Sequence, residues 1–248
     1  MAVSARPEQQ AASQSPVSEP TRLQLLQRFE LRCGGAAAVV PESVQRLLAF
    51  LALRSRPQHR ATVAGVLWMD APERRADGNL RTTVWRARKI ERDLIRSEGA
   101  YLCIGAHVMV DLTDNLVVTR QLVDNPTAPE DPGMTVDALC DDLLPAWYDD
   151  WVLLERERLR QIRLHGLEAL CVRLTHLRRY SHAIEAGVLA AAEEPLREST
   201  QYALISAHVA EGNLAEAVRQ YDRYALVLDE QLGIAPSDRL RSLVTPCR

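Results

Sequence analysis

The sequence has one lysine, two phenylalanines and no apolar run near the roughly 18–20 residues that a membrane-spanning helix requires. Arg6 is followed by no apolar stretch, so no secretory signal is read and a cytoplasmic protein without membrane contact is expected. Cysteine is sparse and scattered: Cys33, Cys103, Cys140, Cys171 and Cys247 are odd in number and form no C-x-x-C. That argues against a zinc module and against a disulfide framework, and fits buried, reduced thiols. Catalytic signatures are missing too, with no G-x-x-x-x-G-K-S/T, H-E-x-x-H or G-x-S-x-G. His59, His107, His165, His176, His182 and His208 offer no ligand set, and the six-residue spacing of His176 and His182 does not share a helical face. No cofactor, metal or catalytic residue is expected, and the chain does not read as an enzyme.

What is present is enough apolar residue, 47% of 248, to build a core in two domains. Charge is unevenly divided. Residues 21–112 hold 15 basic against 9 acidic side chains, net +6, and residues 113–248 hold 14 against 22, net −8. A basic first half joined to an acidic second half suggests that only the first meets a polyanion.

Residues 1–20 are rich in Ala, Ser, Gln and Pro and read as a disordered tail. From Leu23 to Pro41, apolar alternation around Gly34-Gly35 predicts two or three short antiparallel strands. Ser43 is the expected cap of a helix carrying Val44, Leu47, Leu48, Leu51 and Ala52, closed by Pro57. Thr62 is the expected cap of a second helix to Trp68, broken by Ala71-Pro72. Asp77 is the expected cap of a third helix running to about Leu94. Tyr101, Cys103 and Ile104, a turn at Gly105, and then Val108 and Val110 read as a β-hairpin. Strands, three helices and a hairpin are the order of a winged helix-turn-helix, of the type that response regulators carry.

On the third helix, Leu80, Thr83, Val84, Ala87, Ile90 and Leu94 share the face expected to pack inward. Glu91 falls near that face and fits only if it bonds to another element. The other side holds Thr82, Trp85, Arg86, Lys89, Arg92 and Asp93, flanked by Arg81 and Arg88. Arginine and lysine neutralise phosphates and reach guanine edges, while a threonine methyl or an indole can touch a thymine methyl. The same pattern also describes a solvated helix held by Glu–Arg pairs, and Trp85 can equally cover an edge of the core. The groove-facing reading requires this side to stand free of the second half. Arg96, Tyr101 and His107 in the hairpin are further candidates for approaching DNA, or plain surface residues.

Leu143 to Leu177 reads as a long helical stretch, and the alternating Glu155-Arg156-Glu157-Arg158 suits an exposed face, with Glu155 and Glu157 as exposed acids available to a partner. The pattern around Tyr180, Ala183 and Ile184 recurs around Leu214, Ala217 and Val218, with the two alanines 34 residues apart, the tetratricopeptide period. Pro195 follows the first copy, whereas Asp229 stands at the matching position of the second. Two copies are fewer than a solenoid needs, so residues 113–177 must supply further helices. The alternative is an ordinary helical bundle. The expected fold is mainly α with small β-sheets: a tail (1–20), a winged helix-turn-helix (21–112) and an all-α tetratricopeptide-like domain (113–248).

These residues carry a family likeness. Leu47–Leu53, Val66-Leu67-Trp68, Asn79-Leu80-Arg81-Thr82 and Arg86-Ala87-Arg88 resemble the DNA-binding domain of the Streptomyces antibiotic regulatory proteins. The run from Asp142-Leu143-Leu144-Pro145 through Trp147 and Trp151 to Arg160, then Pro195-Leu196-Arg197-Glu198, Gly212 to Tyr221, and Leu232-Gly233 to Pro236-Ser237, is similar to their bacterial transcriptional activation domain. The use of 29 arginines against one lysine also fits a high-GC genome. The resemblance implies an activator of an antibiotic or other secondary-metabolite cluster. It implies binding to direct repeats of double-stranded promoter DNA near the −35 element, as two copies side by side, and recruitment of the RNA polymerase holoenzyme with its sigma factor. Lys89 and Ile90 depart from the family's usual arginine and aliphatic continuation, so base preference is expected to differ. Two other readings stay open: a protein-interaction adaptor with a degenerate winged helix, and a repressor with the same DNA-binding domain.

Overall fold

A computed structural model describes residues 19–245 except 55, 132 and 134. The tail expected at residues 1–20 therefore lies outside the described residues up to residue 18, as does Cys247. The chain begins with β1 (Arg22–Gln24), β2 (Glu30–Cys33) and β3 (Ala36–Ala37). Leu23 faces Leu31 across an antiparallel pair, and both point into the core. Gly34 and Gly35 turn the chain into β3 with φ of 55° and 82°, a left-handed pair that glycine adopts without penalty.

Three helices follow: α1 (Glu42–Ala52), α2 (Arg60–Leu67) and α3 (Glu73–Ile90), with the two-residue β4 (Gln58–His59) ahead of α2. Val44, Leu47, Leu48 and Leu51 of α1 are all buried, as their spacing requires. The expected caps are corrected. Pro41, not Ser43, starts α1, with its carbonyl taking the Val44 and Gln45 N–H groups and its fixed φ presetting the turn. His59, not Thr62, caps α2 through its Nδ1, which accepts the Ala61 N–H at 3.3 Å. Pro72, not Asp77, precedes α3.

The hairpin is corrected as well. Its strands are β5 (Ile95–Glu98) and β6 (Tyr101–Ile104) around Gly99, and β4 pairs on the other side of β6. Gly105 ends the hairpin because a side chain there would collide with the Asp93 carbonyl. The chain then crosses to β7 (Met109–Val110), which pairs parallel to β1 in the first sheet, giving the order β3-β2-β1-β7. Leu94, assigned from periodicity to the third helix, is instead fully buried just before β5.

The second half is helical: α4 (Asp111–Asp124), α5 (Val136–Cys140), α6 (Asp150–His176), α7 (Tyr180–Glu193), α8 (Glu198–Glu211), α9 (Leu214–Leu232) and α10 (Asp238–Val244). Ala183 and Ala217 are fully buried, and the small side chains of Ala183, Ala186 and Ala190 let α7 approach its neighbours closely. Asp229 lies inside α9, which runs five residues longer than α7; this explains why the second copy has no proline there.

The halves are joined by direct bonding. The Leu144 N–H donates to Leu25 O at 2.9 Å and the Gln27 N–H to Asp142 O at 2.7 Å. The Asp111 carboxylate, in the first turn of α4 where the second half begins its helices, takes the N–H groups of Leu25 and Leu26 at 3.0–3.1 Å. Burial pushes its pKa up, against the pull of those bonds. Phe50 meets Trp151 edge-on at 5.4 Å, and Phe29 stacks on Trp147 at 6.0 Å. Arg46 pairs with Asp149 and Arg54 with Glu155. One core cluster therefore runs from Leu23 through Val110 to Leu143, Leu144, Trp151 and Val152.

The expectation that residues 155–158 form an exposed face is corrected. Glu155 is buried between Arg54 and Arg158, and Arg156 donates to the carbonyls of Leu143, Leu144 and Trp147. Those carbonyls and Arg54 supply the partners that turn the two side chains inward, while Glu157 stays exposed.

Candidate nucleic-acid interface

α3 buries Ala76, Leu80, Thr83, Val84 and Ala87 against the rest of the first half. The opposite side presents Arg81, Thr82, Trp85, Arg86, Arg88 and Lys89 to solvent. Trp85 is 59% exposed and does not close the core; Lys89 Nζ sits over its ring, 5.4 Å from the centroid. Among the described residues, no hydrogen bond or ion pair joins α3 to the second half, which is bonded instead to α1 and the first sheet. The side of α3 that carries Arg81 to Lys89 is thus exposed and not bonded to the carboxy-terminal lobe.

Because α3 begins four residues before the expected cap, Arg74 and Arg75 belong to the same exposed side by helical spacing. Sequence reasoning missed them by placing the start at Asp77. The Pro72-Glu73 pair, a fixed φ ahead of an acidic first turn, is the signal that locates them.

Among the described residues, none of the six cations of α3 pairs with a carboxylate. The second half contrasts: Arg158, Arg160, Arg163, Arg179, Arg197, Arg219 and Arg241 each reach an acid. The Glu–Arg pairing that would make α3 an ordinary solvated helix is therefore not made. Arg88 donates instead to Ser97 Oγ at 2.9 Å, which also accepts from Arg60 at 3.2 Å, tying the helix to the hairpin.

The remaining candidates divide. Arg92 follows the helix and lines, with Arg88, Arg96 and His107, one cleft between its end and the hairpin. Arg96 is engaged by Glu98, and His107 shares a 2.7 Å hydrogen bond with Glu91. Tyr101 is outside this cleft, edge-on to His59 at 5.4 Å. Glu91 thus finds the cross-element partners its position demands: Thr21 Oγ1 donates to both its oxygens at 2.8–2.9 Å, and His107 is the second partner. Burial raises its pKa, but hydrogen bonds from Cys33, Thr21 and His107 outweigh this and hold it below the usual carboxylate value. Cys33 is pushed up to about 11 by burial and by that carboxylate. Among the described residues no three His, Cys, Asp or Glu side chains gather as a metal site, and no helix is long and apolar enough to cross a membrane.

No curated protein matches the chain. In solved structures, the fold is similar to that of Mycobacterium tuberculosis EmbR in complex with a low-affinity phosphopeptide, with a TM-score of 0.72 and 20% identity. The match covers 91% of this chain and 64% of the length of that one. A family model for the bacterial transcriptional activator domain matches residues 138–246. The match to the bacterial transcriptional activator domain thus spans most of the helical second half, which follows the strands, three helices and hairpin of the first.

Proposed function

We propose that the protein is a sequence-specific, DNA-binding transcriptional activator. Residues 21–112 grip double-stranded promoter DNA through α3, and residues 113–248 engage the transcription machinery. The observation that carries this reading is the exposed side of α3, whose cations have no carboxylate partners among the described residues. Unneutralised arginines on a helix of groove-fitting width attract phosphates and reach base edges. Arg81, Thr82, Trp85, Arg86, Arg88, Lys89 and Arg92 form the contact set, with Arg96, Tyr101 and His107 at its margin. In keeping with the family resemblance, two copies occupy direct repeats near the −35 element of a secondary-metabolite cluster and recruit polymerase with its sigma factor. The protein acts in the cytoplasm, without cofactor or catalysis.

Footprinting and gel shift on the promoters flanking its own locus test this. Arg86→Ala or Lys89→Ala is expected to cost about 1–3 kcal/mol of binding if the residue reads a base, and to lower the salt slope by about 1 if it grips a phosphate. Unchanged affinity in both variants refutes the placement of α3. A protein that protects no promoter but captures a protein partner is the adaptor instead, and in vitro transcription separates activator from repressor.

A further inference from the structure

We infer that Thr82 and Trp85 form an apolar reader of thymine methyl groups at the centre of the cationic side of α3, an inference that rests on the DNA-binding reading above. Thr82 is exposed, yet its hydroxyl hydrogen is already committed. Oγ1 donates to the Gly78 carbonyl one turn back, at 3.0 Å. This back-bond uses the hydroxyl hydrogen inside the helix, so Thr82 offers a ligand its methyl group and only the acceptor lone pairs of Oγ1. Trp85 lies three residues on, hence beside Thr82 on the helix surface. Its ring is largely exposed, with Lys89 Nζ placed over it. Arg81 and Arg86 flank the pair and have no carboxylate partners among the described residues.

A surface that gripped phosphates alone would have no use for an exposed indole and a methyl among its cations. An apolar centre in a basic frame needs an apolar complement in a polyanion. The major groove of duplex DNA offers one such group at base edges, the C5-methyl of thymine. The geometry therefore assigns readout of thymine to Thr82 and Trp85, and phosphate or guanine contacts to the surrounding cations.

The test uses the full-length protein and a randomised duplex pool. Selected duplexes are resynthesised with each dT in turn replaced by dU, which keeps every hydrogen-bonding group and removes only the methyl. At one or two positions in each half-site, dU is expected to weaken binding by about fourfold, the equivalent of one buried methyl-sized group. Thr82→Val keeps a methyl and is expected to retain the dT/dU difference. Thr82→Ser is expected to erase it at one position and Trp85→Ala at the other. Both side chains are exposed, and unchanged thermal melting of the variants confirms that they fold. Duplexes that bind equally with dT and dU at every position overturn the inference while leaving DNA binding intact. Loss of the dT/dU difference in Thr82→Val, with Thr82→Ser unaffected, also overturns it. A pool from which nothing is selected overturns the DNA-binding reading itself.

Discussion

Glu155→Gln tests whether the two halves act as one body. Glu155 is buried at the junction and is contacted by Arg54, just after α1, and Arg158 of its own helix. Removing one partner of a fully buried ion pair costs about 3–5 kcal/mol. Here the Arg54 side chain keeps 31% of its surface in water, and glutamine retains an acceptor, so roughly half that cost is expected, about 2 kcal/mol. For a chain of this size, each kcal/mol lowers Tm by about 2–4 °C, giving a fall of about 4–8 °C in a thermal melt. Glu157→Gln is the control: Glu157 is exposed and meets Arg160 and Gln161 along the surface of its own helix, so its change is expected to stay within about 0.5 kcal/mol. The α3 side is not bonded to Glu155, so DNA affinity per folded molecule stays the same in both variants. Equal melting of Glu155→Gln and wild type, or a larger loss in Glu157→Gln, refutes the buried junction.

Two further outcomes follow from the same packing. Phe50→Ala is expected to cost about 3–5 kcal/mol in denaturant unfolding, because the ring is 1% exposed, edge-on to Trp151 and 5.0 Å from the Arg54 guanidinium. Glu91 sets a pH dependence. Its carboxyl is held below its ordinary value in the folded protein, so its stabilisation is complete above the unfolded pKa of about 4.3 and is lost as pH falls through the lower folded value. The melting gap between wild type and Glu91→Gln is therefore expected to be widest at neutral pH and to close under acid; a gap that widens on acidification contradicts this sign.

Much of the architecture could be read from residue spacing, and the failures have one physical origin. The inward stripe of α1 and the exposed side of α3 follow from 3.6-residue periodicity, which burial enforces strongly. Boundaries follow from capping, where several residue types compete. Ser43, Thr62 and Asp77 are good caps by type, but Pro41, His59 and Pro72 hold those positions. The hairpin was shifted for a related reason: Leu94 continues the helical stripe of α3 in sequence while packing as the entry to β5 in space. Nothing local separates those two roles. Of the site, the cations of α3 were legible by type and spacing; their lack of acidic partners was not, because it depends on which carboxylates the fold brings near. Glu155 shows the converse, since its burial depends on Arg54, a hundred residues earlier in the chain.

The junction also bears on how binding at α3 is transmitted. Two domains on a loose tether would leave the second half free to point anywhere once the first had docked. Here the connecting segment has no such freedom. Leu143 bridges to Leu26, Leu144 bonds to Leu25, and the Arg156 guanidinium grips three carbonyls of the same stretch. Trp147 and Trp151 then wedge against Phe29 and Phe50. Because the apolar core is continuous through these residues, swinging one half from the other would expose Phe50, Trp151 and Val152 together. That cost is of the order of several kcal/mol for the buried side chains alone. On the proposed DNA-binding reading, insertion of α3 into a groove therefore also fixes the direction in which the second half is presented, without any further change of shape.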